Sequence, residues 1–478
     1  MTEKLLKSKF LWIGIGIFLL NVFLKFWHIS TPEIGIDEPF TIYYANADIR
    51  QLWEILPYEN NPPLFTLILK VWVHFLGVGP TSVRFLPMIF SSLAAVALFR
   101  LGRTFFNTNV AWIATGIFTF SSAQFFYAHE ARPYALFVML AILVMYAFLK
   151  VVNHKSNPHK YWLILFAALL IYNHFFGFLV LFVQFLALLL NRYTKKEDWK
   201  RMLFVWIGIL ILFSPYLPLL FGRFSSSAGG TWVPAPHLEG LYVELWRFSN
   251  EPVNTVLFIA MLFLGTLFYF IRKDKPKINL QTTLVILWFL FCFLFMFLVS
   301  FKLPIFLDRY LIYISPAFYL LIGIALVSLF KNQFISKILG VAFVLLMLIT
   351  VNFKAGNPKK QAYLVDNFIQ KGKESETIVI VSPDWYSLQI AYYYNIEYFL
   401  DAENTRDHLR KDGFRTVDAL TDELKLEILE KKYVVFVDAG ANYVDSDGMI
   451  KNYLESQMTA TSVVKDIEGL TVTYYKRN

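Results

Sequence analysis

A dozen apolar stretches recur along the chain and decide what it can fold into. They run over roughly 9–28, 63–78, 83–101, 110–127, 132–150, 161–173, 175–190, 202–221, 254–271, 280–301, 308–330 and 335–353. In lipid every backbone N–H and C=O must be satisfied within the segment, so a spanning helix needs about 20 apolar residues. Several stretches are shorter, and only Asn173-His174 separates 161–173 from 175–190. Such segments tilt, extend into the interface or fail to span. The pattern predicts an α-helical polytopic membrane protein. Composition agrees, with 57% hydrophobic residues, 17% charged and 49 Phe, which excludes an ordinary soluble enzyme. The N-terminus MTEKLLKSKF is basic and runs into an apolar stretch without a small-residue cleavage site. It reads as a retained anchor.

The loops order the spans. The net charge of +9 resides in short basic stretches between apolar runs, the distribution of the positive-inside rule rather than a nucleic-acid surface. If all twelve stretches cross from a cytoplasmic N-terminus, nearly every basic loop falls on the wrong side. The stretch 63–78 is short, follows Pro62-Pro63, and carries Lys70 and His74. If it lies in the interface or re-enters, eleven spans remain. Arg100/Arg103, 150–160, 192–201, 272–277 and 331–337 then all face the cytoplasm. The expected topology is therefore about eleven spans plus one interfacial or re-entrant helix. Outside lie 29–62, with an amphipathic helix over 41–57, then 127–132, Asn173-His174, 222–254, 302–309 and everything after Phe353.

Two domains are expected: a membrane domain over 1–353 and a soluble α/β domain over 354–478. In the tail, TIVIVSP and YVVFVDAG are β-branched runs ending in turn residues, and TVTYYKR reads as a last strand. Helical stretches at 384–394, 419–431 and 446–457 alternate with them, predicting a small parallel or mixed sheet. No glycine-rich nucleotide fingerprint is present. Cys292 is the single cysteine and lies in an apolar run, so neither a disulfide framework nor a cysteine metal site follows.

The ionisable groups that could do chemistry gather outside: Asp37 and Glu38 in GIDEPFTIYYA, His129, Glu130 and Arg132 in FYAHEARPYAL, then His174, His237, Asp308 and Arg309. Each has a plain structural alternative. The acidic pair could cap a surface helix, Glu130 could favour a helix dipole, the arginines could anchor at the headgroups, and the histidines could be solvated. As a set they suit group transfer from a lipid-linked phosphate. A carboxylate can take a proton from an acceptor hydroxyl, and a guanidinium can hold a phosphate. A transporter or lipid flippase with an outer binding domain is the alternative. It would place carboxylates or histidines near the bilayer midplane and interrupt helices in matching halves, and neither signal is present. No spacing of the HExxH kind argues for a metal; a divalent ion requirement is left open.

The order GIDEPFTIYYA, NNPPLFTLILKVWVHFLG, SVRFLPMIFSSLAAVALFRLGRTFF, FFYAHEARPYAL and IFLDRYLIYISPAFYLL resembles the bacterial GT-C membrane glycosyltransferases. Within these it looks like the protein O-mannosyltransferase and aminoarabinose-transferase type (glycosyltransferase family 39-like), over roughly 10–330. The resemblance implies transfer of a sugar, a mannose-like hexose or related, from a polyprenyl-phosphate donor to a hydroxyl acceptor on protein, lipid or glycan. It implies inversion, on the extracytoplasmic side of a bacterial inner membrane. The family's catalytic aspartate corresponds to Asp37, with Glu38 beside it. Arg132 and Arg309 correspond to the donor-phosphate positions, and Glu130, His129 and His174 are candidate substrate contacts. Two departures stand out. Asn61 occupies a place where relatives often carry His or Lys, so it is assigned no phosphate role. Tyr134 stands where aminoarabinose-transferase-like members carry Asp, which points away from that sugar.

Overall fold

The computed structural model describes residues 2–31, 33–35, 37–57, 59–153, 158–191, 194–226, 233–272, 278–330, 332–354, 376–467 and 470–477. The basic residues at 154–157, Arg192, 273–277 and Lys331 fall outside them, as does the first part of the tail. Contacts divide the chain into two compact units. One comprises Met1–Ile29, Trp53–Trp72 and Thr81–Ala355; the other comprises Ser30–Leu52, Val73–Pro80 and Gly356–Asn478.

The first unit is helical. Seven helices among the described residues are long and apolar enough to cross a membrane: Pro80–Phe105, Tyr134–Asn153, Lys196–Arg223, Pro252–Ile271, Leu280–Val299, Asp308–Leu329 and Gln333–Thr350. Shorter apolar helices cover Phe10–Phe26, Leu64–Leu76 and Gly177–Leu190. The chain is thus a multi-pass membrane protein. The helix Leu64–Leu76 has 13 residues, so at 1.5 Å per residue it reaches about 20 Å, short of the ~30 Å hydrocarbon. Without a hydrophobic drive between helices in lipid, small residues permit close backbone approach. A Cβ on Gly340 would lie 2.6 Å from Ile113, and one on Gly116 would lie 2.6 Å from Val344. This seats Gln333–Thr350 against the helix Thr108–Thr119.

The stretch expected as one helix over 110–127 is two, Thr108–Thr119 and Ser122–Ala128. A distant residue holds the break. The Asn250 amide donates to the Phe120 carbonyl at 2.8 Å and accepts the Ser122 N–H at 2.7 Å. Asn250 itself sits at φ 71°, a region Asn tolerates better than most residues.

The second unit holds a five-stranded sheet. Its strands are β1 (Thr377–Ser382), β2 (Phe414–Thr416), β3 (Tyr433–Asp438), β4 (Thr459–Ile467) and β5 (Leu470–Lys476), in the order β2-β1-β3-β5-β4. β1 runs parallel to β2 and β3, while β5 pairs antiparallel with β3 and β4. The sheet is therefore mixed. Ile378, Ile380, Val434 and Phe436 pack with Leu424, Ile428, Ile450 and Leu454, and the intervening Val379, Val381, Val435 and Val437 are buried too, which explains why the central parallel strands read as unbroken apolar runs. The segment expected as one surface helix over 41–57 forms Glu38–Asn46 and Ile49–Ile55.

Candidate functional site

In the first unit, three chain turns bring charged and aromatic groups together. The helix Ser122–Ala128 ends at His129, and the Arg132 N–H closes a tight turn onto the Glu130 carbonyl at 2.7 Å. Pro133 then starts the next helix, where a missing N–H costs little. Its carbonyl accepts the Phe137 N–H at 2.9 Å and the Asn173 amide at 3.1 Å, tying this turn to the next one at His174.

His174 is buried in an aromatic cage. Its ring stacks on Phe137 at 4.6 Å and 8°, lies over Phe176 at 5.3 Å, and meets the edge of Tyr310 at 5.7 Å. Its Nδ1 accepts the Phe176 N–H at 3.3 Å, which assigns the ring proton to Nε2. That Nε2 is buried and has no hydrogen-bond partner among the described residues. Burial first and the Arg132 charge second pull the imidazole down to about 3. His174 is therefore a neutral donor at physiological pH and carries no proton back and forth.

The third turn begins the helix at Asp308, whose carboxylate accepts the Arg309 N–H at 2.8 Å and forms an ion pair with Arg247. Arg247 also lies 3.8 Å from Glu244, one turn earlier on the helix Glu239–Ser249. Glu244 is buried, and burial together with the Asp308 charge pushes its carboxyl up to about 8, partly offset by Arg247. Tyr127 is buried beside Asp308, Glu130 and Arg309. Burial and the two carboxylates hold its phenol well above the usual range, so it keeps its proton. Tyr127 thus lies within electrostatic reach of Glu130, Asp308 and Arg309, and His174 within reach of Arg132. His129 turns elsewhere: its Nε2 pairs with the Lys25 carbonyl at the end of the first helix.

Lys25 went unnoticed in the sequence. Its ammonium is fully buried, bonded to Asn21 and Ser91 at 2.9 Å each, with Phe118 and Phe125 faces 5.3 and 5.8 Å away. Hydrogen bonds and cation–π contact offset its desolvation. The Glu244–Arg247 pair was missed as well. Its one signal is an i,i+3 charge pair within EGLYVELWRFS.

In the second unit Asp37 and Glu38 separate in role. Glu38 is 2% exposed and its carboxylate accepts the Gly35 N–H at 2.8 Å, while its own N–H bonds the Gly35 carbonyl at 3.1 Å. It closes the loop. Asp37 is half-buried at the N-cap position of Glu38–Asn46, and its carboxylate does not cap the helix. Among the described residues no group of three or more His, Cys, Asp or Glu could hold a metal ion.

A family model described as dolichyl-phosphate-mannose-protein mannosyltransferase matches residues 60–219. No curated protein sequence matches the chain. Among solved structures, ArnT from Cupriavidus metallidurans in the apo state aligns at TM-score 0.60 and 11% identity over 99% of this chain and 98% of its own. The same protein bound to undecaprenyl phosphate aligns at 0.59 and 11% identity, over 98% and 97%. The archaeal oligosaccharyltransferase AglB from Archaeoglobus fulgidus, in complex with an inhibitory peptide and a dolichol-phosphate, aligns at 0.55 and 11% identity, over 99% and 74%. The chain shares the GT-C fold of these structures.

Proposed function

We propose that this GT-C chain is an inverting glycosyltransferase that moves a sugar, a mannose-like hexose or a related one, from a polyprenyl-phosphate donor to a hydroxyl acceptor. The observation that carries the reading is the neighbourhood of Arg132, Arg309 and the orphaned Nε2–H of His174. Two permanent cations and a buried neutral donor suit the phosphate of such a donor. His174 is held neutral, so it can donate without adding a third charge. Structural relatives are seen with undecaprenyl phosphate and with a dolichol-phosphate bound, which agrees with a lipid phosphate as the anion.

Asp37 is the proposed base, with Glu38 beside it shaping the loop. Asp37 takes the proton of the acceptor hydroxyl, the oxygen attacks the anomeric carbon, and the carbon–phosphate oxygen bond breaks on the opposite face. One displacement inverts the centre, and Arg132 and Arg309 offset the charge on the departing phosphate. Glu130 flanks the arginine turn as a candidate substrate contact, whereas His129, the other candidate, is turned to the Lys25 carbonyl. In this reading residues 1–353 form the catalytic membrane domain and 354–478 an extracytoplasmic α/β domain. The membrane is a bacterial inner membrane, with a cytoplasmic N-terminus and about eleven crossings. Tyr134, in place of an acidic residue, disfavours an amino sugar.

The test is a panel of undecaprenyl-phosphate mannose, glucose and aminoarabinose offered to the purified protein with hydroxyl acceptors, and product identified by mass. Asp37→Asn is expected to insert normally and to lower turnover by about 10²–10⁴, the range of general-base catalysis. Wild-type turnover by that variant would remove Asp37 from the mechanism.

A further inference from the structure

The second unit contains more than the tail, for it includes the 30–52 segment that carries Asp37. The helix Ser387–Tyr394, SLQIAYYY, shows how the two are joined. Gln389 and Tyr393 stand four residues apart and share one helix face. The Gln389 amide donates to the Ile34 carbonyl at 2.9 Å, and the Tyr393 hydroxyl donates to the same carbonyl at 3.1 Å. A carbonyl oxygen has two lone pairs, and both are used.

We infer that Gln389 and Tyr393 are positioning residues, holding the 33–38 loop and its Asp37 carboxylate by a shared grip on the Ile34 carbonyl. The inference rests on the reading of Asp37 as the base. Ile34 is fully buried, so its carbonyl has no water to fall back on. Gln389 is 2% exposed, and its own Oε1 is buried without a partner. A buried amide left half-satisfied costs stability, and its Nε2 bond to Ile34 is the compensation on view. Tyr393 lies within electrostatic reach of Glu33 and Glu38; burial and these charges raise its pKa, so it remains a donor across physiological pH. The far side of the loop is gripped too. Tyr43 bonds the Ala402 carbonyl, Asn46 donates to the Leu400 carbonyl at 2.8 Å, and Phe40 packs on Trp385 at 6.1 Å. Asp37 is thus bracketed three residues before and three to nine residues after. The tyrosine run distributes the grip, because successive helical residues point about 100° apart. Tyr392 donates to the Val78 carbonyl at 3.0 Å, Tyr393 to Ile34, and Tyr394 to Asp412 at 2.9 Å.

The experiment is hydrogen exchange on the full-length protein in lipid nanodiscs, read over peptides covering residues 37–46, with turnover measured alongside. The double variant Gln389→Leu/Tyr393→Phe is expected to speed exchange there by about tenfold, while Asp308–Leu329 exchanges as before. Tyr393→Phe alone, which leaves one donor, is expected to give about threefold. Binding of undecaprenyl phosphate is expected to be unchanged. With the panel sugar that turns over, kcat is expected to fall about tenfold at constant donor KM, because the base is misplaced while the donor site is untouched. Unchanged exchange over 37–46 in both variants overturns the grip. Faster exchange at wild-type kcat overturns the positioning role. Asp37→Asn leaves the grip intact, so an active Asp37→Asn protein defeats the base reading separately.

Discussion

Glu244 holds a proton that its sequence context does not announce. Burial first and Asp308 second raise its carboxyl to about 8, with Arg247 partly offsetting both. An acid whose folded pKa is raised contributes stability that is complete below its unfolded pKa near 4.5. That stability is lost as pH rises toward the folded value. Between about pH 5 and 8 the unfolded chain carries the charge and the folded one resists it, so Glu244 lowers stability progressively. Glu244→Gln keeps the shape without the charge. Its melting temperature is expected to match wild type near pH 5 and to exceed it by a few degrees at pH 8, levelling above. A difference that does not vary with pH would show that Glu244 does not titrate. The candidate residues differ in how visible they are from sequence. Asp37, Arg132 and Arg309 are legible because a charged group beside an apolar run stands out by position alone. Lys25, Glu244, Gln389 and Tyr393 act through partners 60 or more residues away (Ser91, Asp308 and Ile34). No local pattern encodes those pairings.

At the scale of elements, long periodic signals were legible and contingent ones were not. The apolar stretches became helices, β1 and β3 fell where β-branched runs end in turn residues, and β5 fell on TVTYYKR, read as a last strand. β2 was missed because Phe414–Thr416 has three residues and owes its state to the neighbouring β1. β4 was missed because TATSVVKDI is too polar to stand out from a loop. The break at Phe120 was missed because Asn250 supplies it from 130 residues away. Helix pairing has its own local cause. The helix Gln333–Thr350 approaches Thr108–Thr119 through Gly340, where an added Cβ meets Ile113 at 2.6 Å. Gly340→Val forces these helices apart and is expected to cost about 1–3 kcal/mol, the usual range of overpacking, read as a lower thermal midpoint in detergent. Gly16 has nothing within 4 Å of its would-be Cβ, and Gly16→Val is the control. Equal midpoints for the two variants would mean the close approach is not built on Gly340.

For the whole molecule the question is how many times the chain crosses, and the composition of the second unit bears on it. Residues 30–52 bond to the tail through Ile34, and residues 73–80 bond to it through Val78. In the eleven-crossing proposal both segments lie on the tail's side of the bilayer, and the chain between residues 52 and 73 makes no net crossing. This agrees with the 13 residues of Leu64–Leu76, too few to span. The proposed eleven crossings are odd in number and would put the termini on opposite faces. Paired reporters, one fused before Thr2 and one after Arg477, are expected to read cytoplasmic and extracytoplasmic respectively. Single cysteines at Asp48 and Gly79 are expected to label from the same side as the C-terminal reporter. Labelling of those two positions from opposite faces would make Leu64–Leu76 a true span. It would also break the unit that grips Asp37.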